Sequence, residues 1–175
     1  MREFDAAVGR FDTPLVVVTT TAGDQRGGCL VGFHSQCSID PPRYAVWLSK
    51  ANYTYRVALF ATHVAVHGVA PDDRDVARLF GTDSGDETDK FAQCEWTEGP
   101  GGVPLLDACP HRFVLERVSL WDDGGDHVCF VGTPVDAHAV DGFEPMRLAT
   151  GRALEAGHDA HDRAAPAELT QDRRR

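Results

Sequence analysis

No apolar run in this sequence approaches the roughly 18–20 residues that a membrane-spanning helix requires. The opening residues carry Arg2, Glu3 and Asp5 where a secretory leader needs an unbroken apolar stretch. The expectation is therefore a soluble, cytoplasmic protein without membrane contact. The five cysteines, Cys29, Cys37, Cys94, Cys109 and Cys129, are odd in number and never spaced as CxxC. That argues against a disulfide framework and against a structural zinc site, and most of them read as small buried hydrophobes in a reducing compartment. Neither GxGxxG nor GxxxxGK[ST] occurs, so neither a Rossmann nor a P-loop nucleotide site is signalled. Lysine is confined to Lys50 and Lys90, and 17 Lys+Arg stand against 27 Asp+Glu, a formal charge of -10 that speaks against general nucleic-acid binding.

What is present is ordinary globular composition: 175 residues, 42% hydrophobic and 25% charged, enough for one sizeable core. The length excludes a repeat array or a large multidomain protein. Charge is unevenly spread. Residues 1–70 hold six basic and five acidic side chains, net +1, residues 71–98 hold three and nine, net -6, and residues 99–175 hold eight and thirteen, net -5. An anionic ligand is therefore expected against the first segment.

The run Pro14 to Thr20 reads as a buried β-branched strand, a second strand is expected from near Gly28 to about Gln36, and a third from Arg43 to Ser49, together a β-meander. Between the last two, Pro41 and Pro42 cannot donate to a ladder and mark a turn. A short helix follows Lys50, with Asn52 or Thr54 available to cap it, and residues 63–69 alternate as a strand. Residues 71–80 begin with Pro and acids and place Val76, Leu79 and Phe80 on one helical face. Two further strands, Arg112 to Leu120 and His127 to Val135, flank a Gly/Asp turn. From about Asp141 the regular pattern fades. Residues 1–140 are read as one domain and 141–175 as a C-terminal extension, largely a mobile tail. Six or so strands with short inserted helices and no repeated βαβ spacing predict a mainly β, antiparallel barrel.

Two segments carry the most chemistry. Residues 27–42 offer Gly27, Gly28 and Gly32 for close backbone approach, followed by the hydroxyls of Ser35 and Ser38. Residues 48–54 offer Ser49, Lys50, Asn52 and Thr54 at a helix start, where backbone N–H groups favour a phosphate. The plainer alternative is that the polar residues only cap the helix and the glycines only turn the chain. Their clustering in the one segment without acidic excess, beside one of two lysines, points instead to a phosphorylated, flat, partly apolar ligand.

The ordered set Pro14–Thr20, Gly28 with Ser38-Ile39-Asp40-Pro41-Pro42, Ser49-Lys50-Ala51-Asn52-Tyr53-Thr54, Asp72–Phe80, Asp89-Lys90-Phe91 and Gly125-Asp126-His127 spans about residues 10–136. It resembles the flavin reductase-like, FMN-binding split-barrel family. The resemblance implies a split β-barrel homodimer binding FMN, or FAD, with the isoalloxazine ring against the backbone of Leu30, Val31, Gly32, Phe33, His34 and Ser35. It implies a ribityl phosphate near Ser49, Lys50, Asn52 and Thr54, and a hydride donor, NADH or NADPH, positioned by His127. Reduced flavin would then serve an acceptor or a partner monooxygenase. Asp126 can fix the His127 tautomer, while a solvent-exposed turn histidine is the plainer reading.

Two departures stand out: Leu30 and Gly32 replace a hydroxyl and a small polar residue of the family pattern, and His34 stands where an apolar or aromatic side chain is common. His34 or backbone groups would then meet the flavin edge, and a deazaflavin is an alternative ligand. His63 and His67 lie on an alternating strand without an intervening glutamate and read as structural. Cys109 reads as a buried thiol, His158 and His161 as tail residues, and Cys29 as a minor redox candidate. Two other readings remain: an electron-transfer flavoprotein without direct NAD(P)H oxidation, and a non-catalytic binder of another planar ligand.

Overall fold

The computed structural model describes residues 2–151. The alternating segments form β1 (Val16–Ala22), β2 (Gln25–Val31), β3 (His34–Ser38), β4 (Arg43–Ser49), β5 (His63–Gly68), β6 (Trp96–Glu98), β7 (Pro104–Leu106), β8 (Arg112–Trp121) and β9 (His127–His138). Four short helices accompany them: α1 (Arg2–Val8), α2 (Tyr53–Ala58), α3 (Arg74–Thr82) and α4 (Leu148–Gly151). Seven strands form one antiparallel sheet in the order β2-β1-β5-β8-β9-β4-β3, and β6 and β7 make a separate two-stranded ribbon.

Chain order within that sheet dictates its shape. β2 and β3 lie at opposite edges, yet only Gly32 and Phe33 separate them in sequence. The three Cα steps from Val31 to His34 span no more than about 11 Å, so the sheet must curl until its edges approach. Trp47 N–H donates to the Phe33 carbonyl at 2.9 Å across this junction. The expected single strand from Gly28 to Gln36 is thus two strands, and the expected meander is two hairpins on opposite edges. Residue-level alternation does not reveal the break, because Leu30 to Gln36 remains strand-like in composition on both sides of it. The result is the expected antiparallel split barrel with short helices. β6 and β7 were missed because three residues are too few to show alternation.

Inside the barrel lies an apolar core of Val16, Val18, Cys29, Val31, Val46, Leu48, Tyr55, Val64, Val66, Leu115, Val128 and Phe130. The opposite face of β1 is covered as well: Leu15 and Val17 pack with Val69, Ala77, Phe80, Leu106, Cys109 and Met146. This double burial explains the unbroken β-branched run. Gly23 at φ +61° provides the left-handed residue that the β1–β2 hairpin requires.

Packing continues past residue 140. β9 runs through Pro134 to His138, Met146 is 3% exposed, and its backbone bonds to Leu15 and Val69 at 2.8 and 2.7 Å. Within 141–151, Phe143, Met146, Leu148 and Gly151 pack against the barrel. The remainder of the expected extension, with His158 and His161, lies outside the described residues. Among the described residues, no helix is long and apolar enough to cross a membrane.

Candidate functional site

The register of β4 against β9 brings the two candidate ends of the site together, with Ser49 directly opposite His127 and Trp47 opposite Cys129. Trp121 of β8 pairs with Cys129 in turn. Trp47, Cys129 and Trp121, with Phe33 from the β2–β3 junction, line a cleft of about 200 Å³ whose rim carries Asp123, Asp126 and His127. Phe33 is 53% exposed and its ring centre lies 5.2 Å from that of His127.

His127 is held by its neighbour: its Nδ1 lies 2.8 Å from Asp126 Oδ1. A carboxylate can only accept, so Nδ1 carries a proton. The turn that delivers both residues is built by side chains, since Asp122 and Asp123 accept from the N–H groups of Gly124 and Gly125, and Gly124 adopts φ +94°.

At the other end, β4 runs into the turn that opens α2. Asn52 is its N-cap: Oδ1 accepts from Thr54 N–H at 3.2 Å. Ser49 Oγ accepts from Ala51 N–H at 3.3 Å. The capping role is therefore real for both. It engages only their acceptor oxygens and leaves the Ser49 hydroxyl proton and the Asn52 amide protons as donors. Lys50 adds an ammonium group, paired with Asp122 at 2.8 Å, while its N–H donates to the Asp126 carbonyl at 2.9 Å. The donor set suits a phosphate, and the aromatic cleft suits a flat ring.

Other expected contacts are placed elsewhere. Thr54 is fully buried, and its hydroxyl lies against the Cys29 thiol with no other polar partner among the described residues. It supports the turn from inside the barrel rather than facing a ligand. The Cys29 thiol is pushed up chiefly by burial, while the Thr54 hydroxyl and the Lys90 charge oppose this. A thiol held protonated in the core is a poor redox group.

His34 is also committed. Its Nε2 donates to the Pro14 carbonyl at 3.0 Å, its Nδ1 accepts from Tyr44 Oη at 2.6 Å, and burial pushes its pKa down. With both nitrogens engaged, its side chain is not available to the flavin edge. Val31 points into the core and Leu30 packs with the outer cluster, so from 30–35 a ligand meets backbone and the exposed Phe33 and Ser35.

Gly27 and Gly28 serve packing rather than ligand approach. A Cβ on Gly28 would fall 2.5 Å from the Phe80 ring, and one on Gly27 would fall 2.9 Å from Thr54 Cα. Only Gly32 of the three has room for one, its nearest neighbours being side chains at 3.6 Å. Residues that the sequence did not single out include Trp47 and Trp121, whose shared face depends on register between distant strands.

Residues 8–156 match the flavin reductase like domain, and the chain belongs to that family. It is 31% identical over 150 residues to the FMN reductase (NADH) SmoA of Agrobacterium fabrum, covering 86% of this chain and 83% of that protein. It is also 31% identical over 136 residues to the reductase component of the flavin-dependent trigonelline monooxygenase of Acinetobacter baylyi, covering 75% of this chain and 42% of that longer protein. The NADH:FAD oxidoreductase SgcE6 of Streptomyces globisporus superposes with a TM-score of 0.77 at 24% identity, over 86% of this chain and 89% of that one.

Proposed function

We propose that this chain is an NAD(P)H-dependent flavin reductase that uses FMN, or FAD, with NADH or NADPH as co-substrate. One observation carries the reading. The register places His127, tied to Asp126 and flanked by Phe33 and Trp47, directly across the ladder from the donor cluster at Ser49–Asn52. The homology to an NADH-dependent FMN reductase supports it.

When bound, the flavin accepts the hydride that the nicotinamide supplies, so the protein provides no acid or base of its own for the transfer. Its residues bind, orient and exclude water. The backbone of 30–35 and the Phe33 ring offer a face for the isoalloxazine. Ser49, Lys50 and Asn52 hold the ribityl phosphate through donors, and Thr54 supports their turn from beneath. His127, its Nδ1 proton fixed by Asp126, orients the nicotinamide over the ring, since a transfer of this kind depends on stacking distance and alignment. We further propose a homodimer formed over the outer face of β8 and β9, where Val118, Trp121 and Val135 are exposed. A partner monooxygenase as consumer of the reduced flavin, and a cytoplasmic setting where NAD(P)H is abundant, complete the reading.

The test is the absorbance of the protein with one equivalent of FMN, mixed anaerobically with NADH and with NADPH. Rapid bleaching of the flavin band with at least one of them is expected. In His127→Ala the bleaching slows by about tenfold or more, while flavin affinity holds. Bleaching with neither nucleotide overturns the reductase reading, and a collapse of flavin affinity in a folded His127→Ala protein overturns the role given to His127.

A further inference from the structure

Between the β1–β2 hairpin and the β6–β7 ribbon lies a cleft of about 390 Å³ that shares no lining residue with the cleft at His127. Among the described residues its charged side chains are Arg26 and Glu98. Both are exposed, and among the described residues neither has an ion-pair partner. Arg26 is nonetheless held in place. Its guanidinium carbon sits 4.8 Å from the centre of the Trp96 ring, and that ring is fixed in turn by Nε1, which donates to the Phe91 carbonyl at 3.2 Å. Trp96 and Glu98 are alternate residues of β6, so their side chains leave the same face of the strand about 7 Å apart. Phe60, 71% exposed, adds an aromatic surface to the same cleft. Gly102, at φ +77°, keeps the space beside Glu98 open, since a Cβ there would stand 3.4 Å from the Thr21 methyl and 3.9 Å from Glu98 Oε1.

We propose that this cleft binds an aromatic α-amino acid, with its carboxylate on Arg26, its ammonium on Glu98 and its ring against Phe60. The site is separate from the flavin and nicotinamide contacts and does not depend on the reductase reading.

The two charges decide the class of ligand. A simple anion would satisfy Arg26 and be opposed by Glu98, and a simple cation would do the reverse; a zwitterion meets both. The guanidinium presents its N–H fork to a carboxylate while its face stays on Trp96, and the Glu98 carboxylate accepts from an ammonium. In an α-amino acid those two groups are adjacent. With a hydrogen bond of about 2.9 Å at each end they bridge the spacing that β6 sets. Both charges are exposed, so each contact alone is modest and the ring on Phe60 has to contribute as well. A volume of about 390 Å³ leaves room for such a molecule.

The test is isothermal titration of the full chain with L-phenylalanine and three truncated probes: 3-phenylpropionate without the ammonium, phenethylamine without the carboxylate, and L-alanine without the ring. L-phenylalanine is expected to bind about tenfold tighter than each of the three. Arg26→Gln and Glu98→Gln, both at exposed positions, should each weaken L-phenylalanine about tenfold. Their effects on the probes should cross over: Glu98→Gln leaves 3-phenylpropionate within about twofold, and Arg26→Gln leaves phenethylamine within about twofold. FMN at saturation should not displace the amino acid. The proposal is overturned if L-phenylalanine shows no binding up to the order of 10 mM, or if 3-phenylpropionate binds as tightly, which would make the cleft a simple anion site. It is equally overturned if both variants bind like the wild type, or if FMN competes, since either would place the binding elsewhere.

Discussion

Two walls of the barrel follow the same alternation and end with opposite roles. β1 and β5 are buried on both faces: Val16, Val18, Val64 and Val66 face the interior, while Val17, Thr19, Ala65 and His67 are covered from outside. β4 and β9 send Val46, Leu48, Val128 and Phe130 inward in the same manner, but Trp47 and His127 face the open cleft. In the covered wall the buried polar side chains, Thr19, Thr20 and His67, are tied to backbone. Thr19 donates to the Pro104 carbonyl at 2.5 Å; His67 donates from Nδ1 to the Val17 carbonyl at 3.2 Å and accepts at Nε2 from Leu106 N–H at 3.1 Å. In the open wall, His127 has only the neighbouring Asp126 as its hydrogen-bond partner among the described residues. Coverage of the outer face, rather than residue type, separates a structural histidine from one available to a ligand.

The sharpest way to break the comparison is to remove each histidine. His67→Ala leaves the Leu106 N–H buried without an acceptor and opens a cavity, so it is expected to lower stability by about 3 kcal/mol or more. His127→Ala, at a half-exposed rim, is expected to cost no more than about 0.5 kcal/mol. Urea denaturation midpoints of the two variants decide it, and comparable losses would erase the distinction.

The same burial makes His67 a source of acid sensitivity. Its pKa is pushed down to about 4, first by burial, with the Arg112 charge adding to the depression and the Val17 carbonyl opposing it. Between its ordinary value near 6.5 and 4 the unfolded chain binds more protons than the folded one. Its contribution is therefore complete above about pH 6.5 and falls by up to about 3 kcal/mol as the pH drops to 4. His34, also depressed by burial, contributes in the same direction. His67→Gln keeps a donor and an acceptor but cannot titrate, so its stability curve over pH 4–6.5 should be markedly shallower than that of the wild type. An unchanged slope would mean that other groups set the acid limit.

What the sequence disclosed and concealed divides along the same line. The β1 run, β4, the Asn52 cap and the paired Asp126 and His127 are local features, written in contiguous residues, and all were legible. The junction at Gly32 and Phe33, the burial of Thr54 against Gly27, and the capture of His34 by the Pro14 carbonyl arise only when the sheet curls and joins residues twenty or more positions apart. The same holds for Trp47 beside Trp121 and for Arg26 on Trp96. Alternation says which residues share a face of a strand; it does not say whether another element covers that face.

The smallest expected effect tests the open wall at its other end. Ser49 lies across the ladder from His127, and its hydroxyl accepts one long bond of 3.3 Å from Ala51 N–H. Its removal should leave the fold almost unchanged, since Asn52 still caps α2. If the hydroxyl donates to the ribityl phosphate, Ser49→Ala loses one hydrogen bond to an anion, a loss of about 1 kcal/mol or three- to tenfold in affinity. That loss should appear for FMN and not for riboflavin, which has no phosphate to hold. Equal losses for the two ligands would mean that Ser49 touches the ring or ribityl chain. No loss for either would take Ser49 out of the phosphate site.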